Sequence, residues 1–166
     1  MKIGILDIGT DKISCFITNI VKDKEPVILA IGYHQSQGIS SGTIIDMELA
    51  CNSIRSAIQS AEKMYGNTVE EFVVNFSSDT IQSDTTNLKV PLDNNEVTQE
   101  DVKNLYKKID NLNYGKNRQL LHKIRTSYSI DKNIGIEKPI GMKGNELIAG
   151  FHLITADKNI IDNFIK

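Results

Sequence analysis

The spacing of apolar residues predicts two blocks of strands and helices. In the first block, short apolar runs alternate with polar turns and predict three strands over residues 3–8, 12–21 and 27–33. The polar residues 22–26 suit a turn between antiparallel strands. Residues 36–46 carry two glycines around a short extended piece. This part of the chain therefore begins as a small sheet.

A long helix is predicted after Asp46, a favourable N-cap residue, and Gly66 ends it. Apolar residues recur through it at intervals of three and four: Ala50, Ile54, Ala57, Ile58, Ala61 and Tyr65. Residues 72–76 then have the composition of another buried strand. Three strands, a helix and a returning strand indicate an α/β unit.

The second block has the order strand, helix, strand, strand. Residues 81–90 predict a strand rich in Thr and Ser, and Thr98 followed by Asp101 forms a capping box at the start of a helix. Residues 119–130 and 147–155 predict two further strands, separated by the glycine-bounded loop 139–144. A last helix near Asp157 is short, apolar on one face and uncapped, so we expect the parent protein to continue.

Composition and charge narrow the function classes. The chain has 166 residues and a formal net charge of -2 without a basic stripe, which disfavours nucleic-acid binding. The apolar runs are shorter than the roughly 18 residues of a spanning helix. Cys15 and Cys51 lack a CxxC spacing and suit reduced thiols in the cytoplasm. His34, His122 and His152 are scattered, so packing or hydrogen bonding is the simpler interpretation than a metal site.

The first strand ends on a carboxylate and is followed by a glycine turn, a pattern that suggests a nucleotide site. Asp7 can hold a hydrated Mg²⁺, while the turn from Gly9 to Asp11 offers backbone N–H groups and the Thr10 hydroxyl to phosphate oxygens. Glycine permits close backbone approach and positive φ at this position. The pattern is neither a Walker A loop nor a dinucleotide fingerprint. By themselves these residues fit a plain β-hairpin equally well.

Four segments, taken together, carry a family resemblance. They are Gly4-Ile5-Leu6-Asp7-Ile8-Gly9-Thr10 with Lys12, Gly38-Ile39-x-x-Gly42-x-Ile44-x-Asp46, Glu96-Val97-Thr98-x-x-Asp101-Val102 and Pro139-Ile140-Gly141-Met142-x-Gly144-x-x-Leu147. The chain resembles the FtsA family of actin-like bacterial cell-division proteins from end to end. The first segment is shared with actin, Hsp70 and sugar kinases, whereas the Pro-Ile-Gly-Met loop is more specific.

The resemblance implies an α/β (α+β) fold in two parts. Residues 1–79 would be the first part of actin-like (RNase H-like) subdomain 1A and would carry the first phosphate loop. Residues 80–166 would be an inserted SHS2-type strand-helix-strand-strand subdomain, 1C, truncated at its last helix.

The implied cofactors are ATP and Mg²⁺. By resemblance, Asp7 acts on Mg²⁺ through a bound water, Gly9 and Thr10 hold phosphates, and Lys12 lies near the same oxygens. Asp11 belongs to the same loop, but it stands where the family often has a small hydroxyl residue. Its carboxylate is unfavourable beside phosphates unless it points away or meets Lys12. Only half of the site lies in this chain, because the second phosphate loop and the adenosine pocket would follow Lys166.

Two other departures from the family pattern concern single positions. Residues 75–79 occupy a place where relatives usually carry glycines. Arg125 lies where a proline is common after the His-x-Ile of the strand. Both affect local detail rather than the implied fold.

The function implied for the full-length protein is an ATP-binding scaffold that helps tether the FtsZ ring to the membrane and recruits later division proteins. It would act in the cytoplasm at the inner face of the membrane at the division site, and self-associate into actin-like filaments. The second block would be a protein-contact surface, and membrane binding would need a missing C-terminal helix. No catalytic residue is assigned: the full-length protein would be at most a weak ATPase, and this fragment alone would not be an enzyme.

Two alternatives remain open. A PilM-like ATP-binding component of a pilus or secretion assembly would share the inserted subdomain and the first motif. A small-molecule kinase of the same superfamily would also begin Asp-x-Gly-Thr, but the inserted block and the Pro139 to Met142 loop disfavour it. The sequence beyond Lys166 would separate these classes.

Overall fold

The computed structural model describes residues 1–165, which divide into two compact units between Asp79 and Thr80. The first unit holds seven elements: β1 (Lys2–Ile8), β2 (Lys12–Asn19), β3 (Val27–Gln35), β4 (Ile39–Ser40), β5 (Thr43–Ile44), α1 (Met47–Tyr65) and β6 (Phe72–Phe76). The mixed α/β class is confirmed. The assignment of the two units to subdomains 1A and 1C stays a prediction.

The larger sheet of the first unit has the order β3-β2-β1-β6. Strand β1 is antiparallel to β2 and parallel to β6, as expected when a helix connects β6 back to the sheet. Two details differ from the prediction. Strand β2 ends at Asn19 rather than at residue 21, and the extended piece after β3 is a separate two-stranded hairpin of β4 and β5.

Helix α1 begins and ends as its capping residues predict. The Asp46 carboxylate accepts a hydrogen bond from the Leu49 N–H at 3.0 Å, and Gly66 closes the helix at φ 79°. The helix packs closely on the sheet at Gly32, where a Cβ would lie 2.3 Å from the Ala61 nitrogen. The side chains of β2 that face the helix, including Cys15, are fully buried.

Strand β6 was predicted to be buried, and that prediction is wrong. It forms an edge of the sheet, and Val73 and Val74, which lie on opposite faces, are 58% and 41% exposed. Ile31 and Tyr33 of β3 are also exposed, on the face opposite α1. Among the described residues, the sheet face opposite α1 therefore exposes apolar side chains on both of its edge strands.

The second unit is an antiparallel sheet with a helix against it. Its elements are β7 (Gln82–Pro91), α2 (Gln99–Asp110), β8 (Arg118–Ile130), β9 (Asn133–Ile136), β10 (Glu146–Asp157) and α3 (Lys158–Ile165), and the sheet order is β7-β10-β8-β9. Strand β9 was not predicted. It is four residues long, contains Gly135, and exposes 85% of Ile134, so it lacks the alternation of buried residues that marks a strand.

Helix α2 has the predicted capping box. The Thr98 hydroxyl accepts from the Asp101 N–H, and the Asp101 carboxylate accepts from the Thr98 N–H at 2.8 Å. The apolar face of α2 buries Leu105 in the core of the sheet, while the Tyr106 ring meets Phe151 edge-on at 5.2 Å. The helix is thus fixed both at its start and along its buried face.

Candidate functional site

The candidate site lies where β1 and β6 end side by side. Because these strands are parallel, their carboxyl ends reach the same edge of the sheet, where α/β proteins usually bind ligands. Asp7 pairs with Asn75 on β6 and with Ser14 on β2, so the three side chains share one face. The Asn75 amide donates from Nδ2 to Asp7 Oδ1 at 2.7 Å. Asn75 was not predicted as a site residue.

Gly9 is needed for space rather than for positive φ. Its φ does not lie in the left-handed region, so that part of the prediction is wrong. Its N–H donates to the Lys12 carbonyl at 3.1 Å, and a Cβ would stand 2.9 Å from the same oxygen. Among the described residues, the loop therefore leaves the Thr10 and Asp11 N–H groups, but not that of Gly9, without a hydrogen-bond partner.

The Thr10 hydroxyl is held by the β4–β5 hairpin. It accepts a hydrogen bond from the Gly42 N–H at 3.2 Å, which leaves its own proton to donate. Ser41 and Gly42 have φ of 48° and 72°, the combination found in a type I′ turn. A Cβ on Gly42 would lie 2.1 Å from the Ser77 oxygen, just after β6. The turn therefore fits between the candidate phosphate loop and the end of β6.

Lys12 lies on the same face of the sheet as Asp7. It is two residues from Ser14, which is directly opposite Asp7, and side chains alternate along a strand. The Asp11 carbonyl accepts from the Ser36 N–H at 2.9 Å, which ties the loop to the end of β3. Within residues 1–165, no ion pair joins Lys12 to Asp11.

The polar groups at this edge of the sheet suit Mg²⁺ and phosphate. The oxygens of Asp7 and Asn75 are hard ligands, whereas the Lys12 ammonium, the Thr10 hydroxyl and the free loop N–H groups suit phosphate oxygens. In the part of the chain that the structure describes, no three or more His, Cys, Asp or Glu side chains gather around a possible metal position. A cation here would therefore complete its shell with water and phosphate, as Mg²⁺ commonly does.

The cysteines, His34 and His152 show the burial and hydrogen bonds of ordinary structural residues. Burial, and to a lesser degree the negative charge of Glu62, raises the pKa of the Cys15 thiol to about 11, so it is protonated at neutral pH. Cys51 is half-buried on α1, and both cysteines are free. His34 Nδ1 lies 2.8 Å from the Gln35 carbonyl oxygen, and His152 Nε2 lies 2.8 Å from the Ser83 hydroxyl. These contacts are those of ordinary hydrogen-bonded histidines.

Comparison with known proteins gives a consistent result over nearly the whole chain. Residues 78–155 match the family described as the SHS2 domain inserted in FtsA. The cell division protein FtsA of Rhizobium meliloti (strain 1021) is 30% identical over 97% of this chain and 39% of its own length. That of Buchnera aphidicola subsp. Schizaphis graminum (strain Sg) is 32% identical over 97% of this chain and 38% of its own length. The chain thus spans about two fifths of these relatives.

A solved structure described as a PilM-PilN type IV pilus biogenesis complex shares the fold. It superimposes with a TM-score of 0.56 over 96% of this chain and 41% of the matched chain, at 10% sequence identity. Identity this low shows the fold alone. None of the described helices has both the length and the apolar composition to cross a membrane.

Proposed function

The chain belongs to the FtsA family of bacterial cell-division proteins, and from that premise we propose that it forms the amino-terminal part of an ATP-binding division scaffold. In the full-length protein, this scaffold helps tether the FtsZ ring to the inner face of the membrane and recruits later division proteins. The observation that carries the nucleotide role is the convergence of Asp7, Thr10 and Lys12 at the carboxyl ends of two parallel strands.

Each residue of the candidate site has a role that its geometry supports. Asp7 orients the water shell of Mg²⁺, which would shield phosphate charge when bound. The Thr10 hydroxyl, held on one side by Gly42, donates its proton to a phosphate oxygen, and the free Thr10 and Asp11 N–H groups donate beside it. The ammonium of Lys12 supplies the positive charge. Binding is the role that we propose for these groups.

The exposed face of the first sheet supports the view that more protein is needed to complete the scaffold. Contiguous apolar surface is usually covered in a stable protein, and here Val73 is 58% exposed and Tyr33 72% exposed. The relatives have more than twice the length of this chain. We propose that the remaining part of the longer protein covers this face and supplies the second half of the nucleotide site.

The second unit supplies the partner surface in this proposal. A groove of about 450 Å³ runs along the outer side of α2 beside the exposed Ile140, and Lys103 and Lys107 line it. Lys108 is also exposed, although its ammonium donates to the Lys89 carbonyl at 2.6 Å. Asn104, on the same helix, is half-buried. The lysines are thus the more accessible part of the proposed contact helix.

The PilM-like alternative is favoured by one observation, the shared fold. Sequence favours division, because the relatives of about 30% identity are cell-division proteins and the pilus protein is 10% identical. A role in a pilus or secretion assembly is therefore the second candidate.

Nucleotide titration of the full-length protein tests the binding role. Asp7→Ala should weaken ATP binding in Mg²⁺ by about 1 to 3 kcal/mol, the size of a lost hydrogen bond to a charged group. The stability of the nucleotide-free protein should hardly change, because Asp7 is exposed. Asp11→Asn is the matched control: it removes a neighbouring carboxylate that repels phosphate, so binding should stay equal or tighten. If Asp7→Ala binds Mg-ATP as the wild type does, the proposed site is wrong.

A further inference from the structure

The side-chain amide of Asn75 donates a hydrogen bond to the Asp7 carboxylate, and we propose that Asn75 is a positioning residue for Mg²⁺-dependent ATP binding. It holds Asp7 in one orientation through the 2.7 Å bond from Nδ2 to Oδ1. The other carboxylate oxygen then faces the water shell of the cation. This inference rests on the proposed function, and it assigns a role to a residue on a different strand from the phosphate loop.

An exposed aspartate contributes more to ligand affinity when a partner already holds its carboxylate in the binding orientation. A free carboxylate samples several rotamers, and fixing it when the ligand binds costs conformational entropy. Asn75 donates this hydrogen bond from the neighbouring strand, and no Lys, Arg or His side chain among the described residues forms an ion pair with Asp7. The amide therefore orders the carboxylate before the ligand arrives.

The sheet fixes Asn75 in front of Asp7. The two residues are direct partners in the parallel register of β1 and β6. Three residues earlier on β6, the Phe72 ring covers Gly4 so closely that a Cβ on Gly4 would lie 2.3 Å from the ring. Because a slip of one residue would turn Asn75 to the other face, this packing of Phe72 on Gly4 also maintains the contact between Asn75 and Asp7.

The test is a double-mutant cycle in the full-length protein. The variants are Asn75→Ala, Asp7→Ala and the pair, and each is titrated with ATP in Mg²⁺ and with ATP in EDTA. Asn75→Ala should weaken binding in Mg²⁺ about threefold to tenfold, the effect of one net hydrogen bond, and should leave binding in EDTA unchanged. Adding Asn75→Ala to Asp7→Ala should have no further effect, because Asn75 acts through Asp7.

Val74→Ala is the matched control, since Val74 directly precedes Asn75 on β6, is 41% exposed, and lies on the other face of the sheet from the one that the rest of the protein is proposed to cover. It should not change binding. Asn75→Ser, which keeps a shorter donor, provides a second variant should Asn75→Ala lower the melting temperature, and it should bind more tightly than the alanine variant.

The outcomes separate the two proposals. The role of Asn75 would be overturned if Asn75→Ala lost ATP affinity equally with and without Mg²⁺, lost the same affinity in the Asp7→Ala background, or lost none. The nucleotide site itself would stand in these cases, provided that Asp7→Ala still weakens binding. Failure of the wild type to bind Mg-ATP, or full binding by Asp7→Ala, would overturn the nucleotide site and the role of Asn75 with it.

Discussion

Replacement of Gly42 by alanine should destabilise the first unit through one identifiable contact. A Cβ at this position would lie 2.1 Å from the Ser77 oxygen, well inside the 3.0 Å below which real Cβ atoms are essentially not found. The backbone φ of 72° adds a separate cost, because a side chain is unfavourable in the left-handed region by about 1 to 2 kcal/mol. The clash adds about 1 to 3 kcal/mol, as for other overpacked sites.

Gly66→Ala isolates the contribution of the clash. Gly66 belongs to the same unit and has a φ of 79°, but nothing lies within 4 Å of a Cβ built on it. Both variants therefore carry the backbone strain, and only Gly42→Ala carries the contact with Ser77. The difference should lower the melting temperature of Gly42→Ala below that of Gly66→Ala by at least about 4 °C in a unit of this size.

Thermal unfolding by circular dichroism measures the difference, and amide hydrogen exchange locates it. Exchange should rise around Ser77, just after β6, and in the loop around Thr10 for Gly42→Ala, since Gly42 contacts both. Exchange there should stay unchanged for Gly66→Ala. The proposed clash is refuted if the two variants have the same melting temperature. It is also refuted if Gly42→Ala has the lower melting temperature without any change of hydrogen exchange beside the β4–β5 hairpin.

Three further predictions concern other parts of the chain. Because the pKa of the Cys15 thiol is raised from 9.0 to about 11, the folded state keeps the thiol proton at a pH at which the unfolded state has lost it. Cys15 should therefore make the free energy of unfolding fall as the pH rises from 9 to 11. Unfolding titrations should show that fall reduced in Cys15→Ala, and alkylation at pH 8 should label Cys51 first. Thr98→Ala should cost about 1 kcal/mol through loss of the α2 cap, measured as a lower denaturation midpoint. Reversing the charges of Lys103 and Lys107 should shift stability by under about 0.5 kcal/mol yet reduce self-association of the full-length protein in sedimentation; unchanged assembly would remove α2 from the interface.

The regular elements were predictable because their signals are local. Asp46 and Gly66 cap α1 through contacts within one turn, and the Thr98–Asp101 capping box depends on residues three apart. The strands β1, β2 and β3 follow from apolar runs between turn residues. Strand β9 was missed because its four residues take their pairing from β8 and bury little, and β6 was placed in the core because Val73 and Val74 are as apolar as core residues.

The sequence by itself determined which groups at the first turn can bind phosphate and metal: a carboxylate at a strand end, a hydroxyl, a lysine and a glycine. Their chemistry is a property of the residues, so it could be predicted without coordinates. Only the tertiary structure decided their surroundings. Asn75 lies 68 positions from Asp7 and the Gly42 N–H lies 32 positions from Thr10, yet the parallel pairing of β6 and the tight β4–β5 turn bring both into hydrogen-bond contact. Strand register and chain reversal depend on packing between distant segments, and no local pattern encodes them.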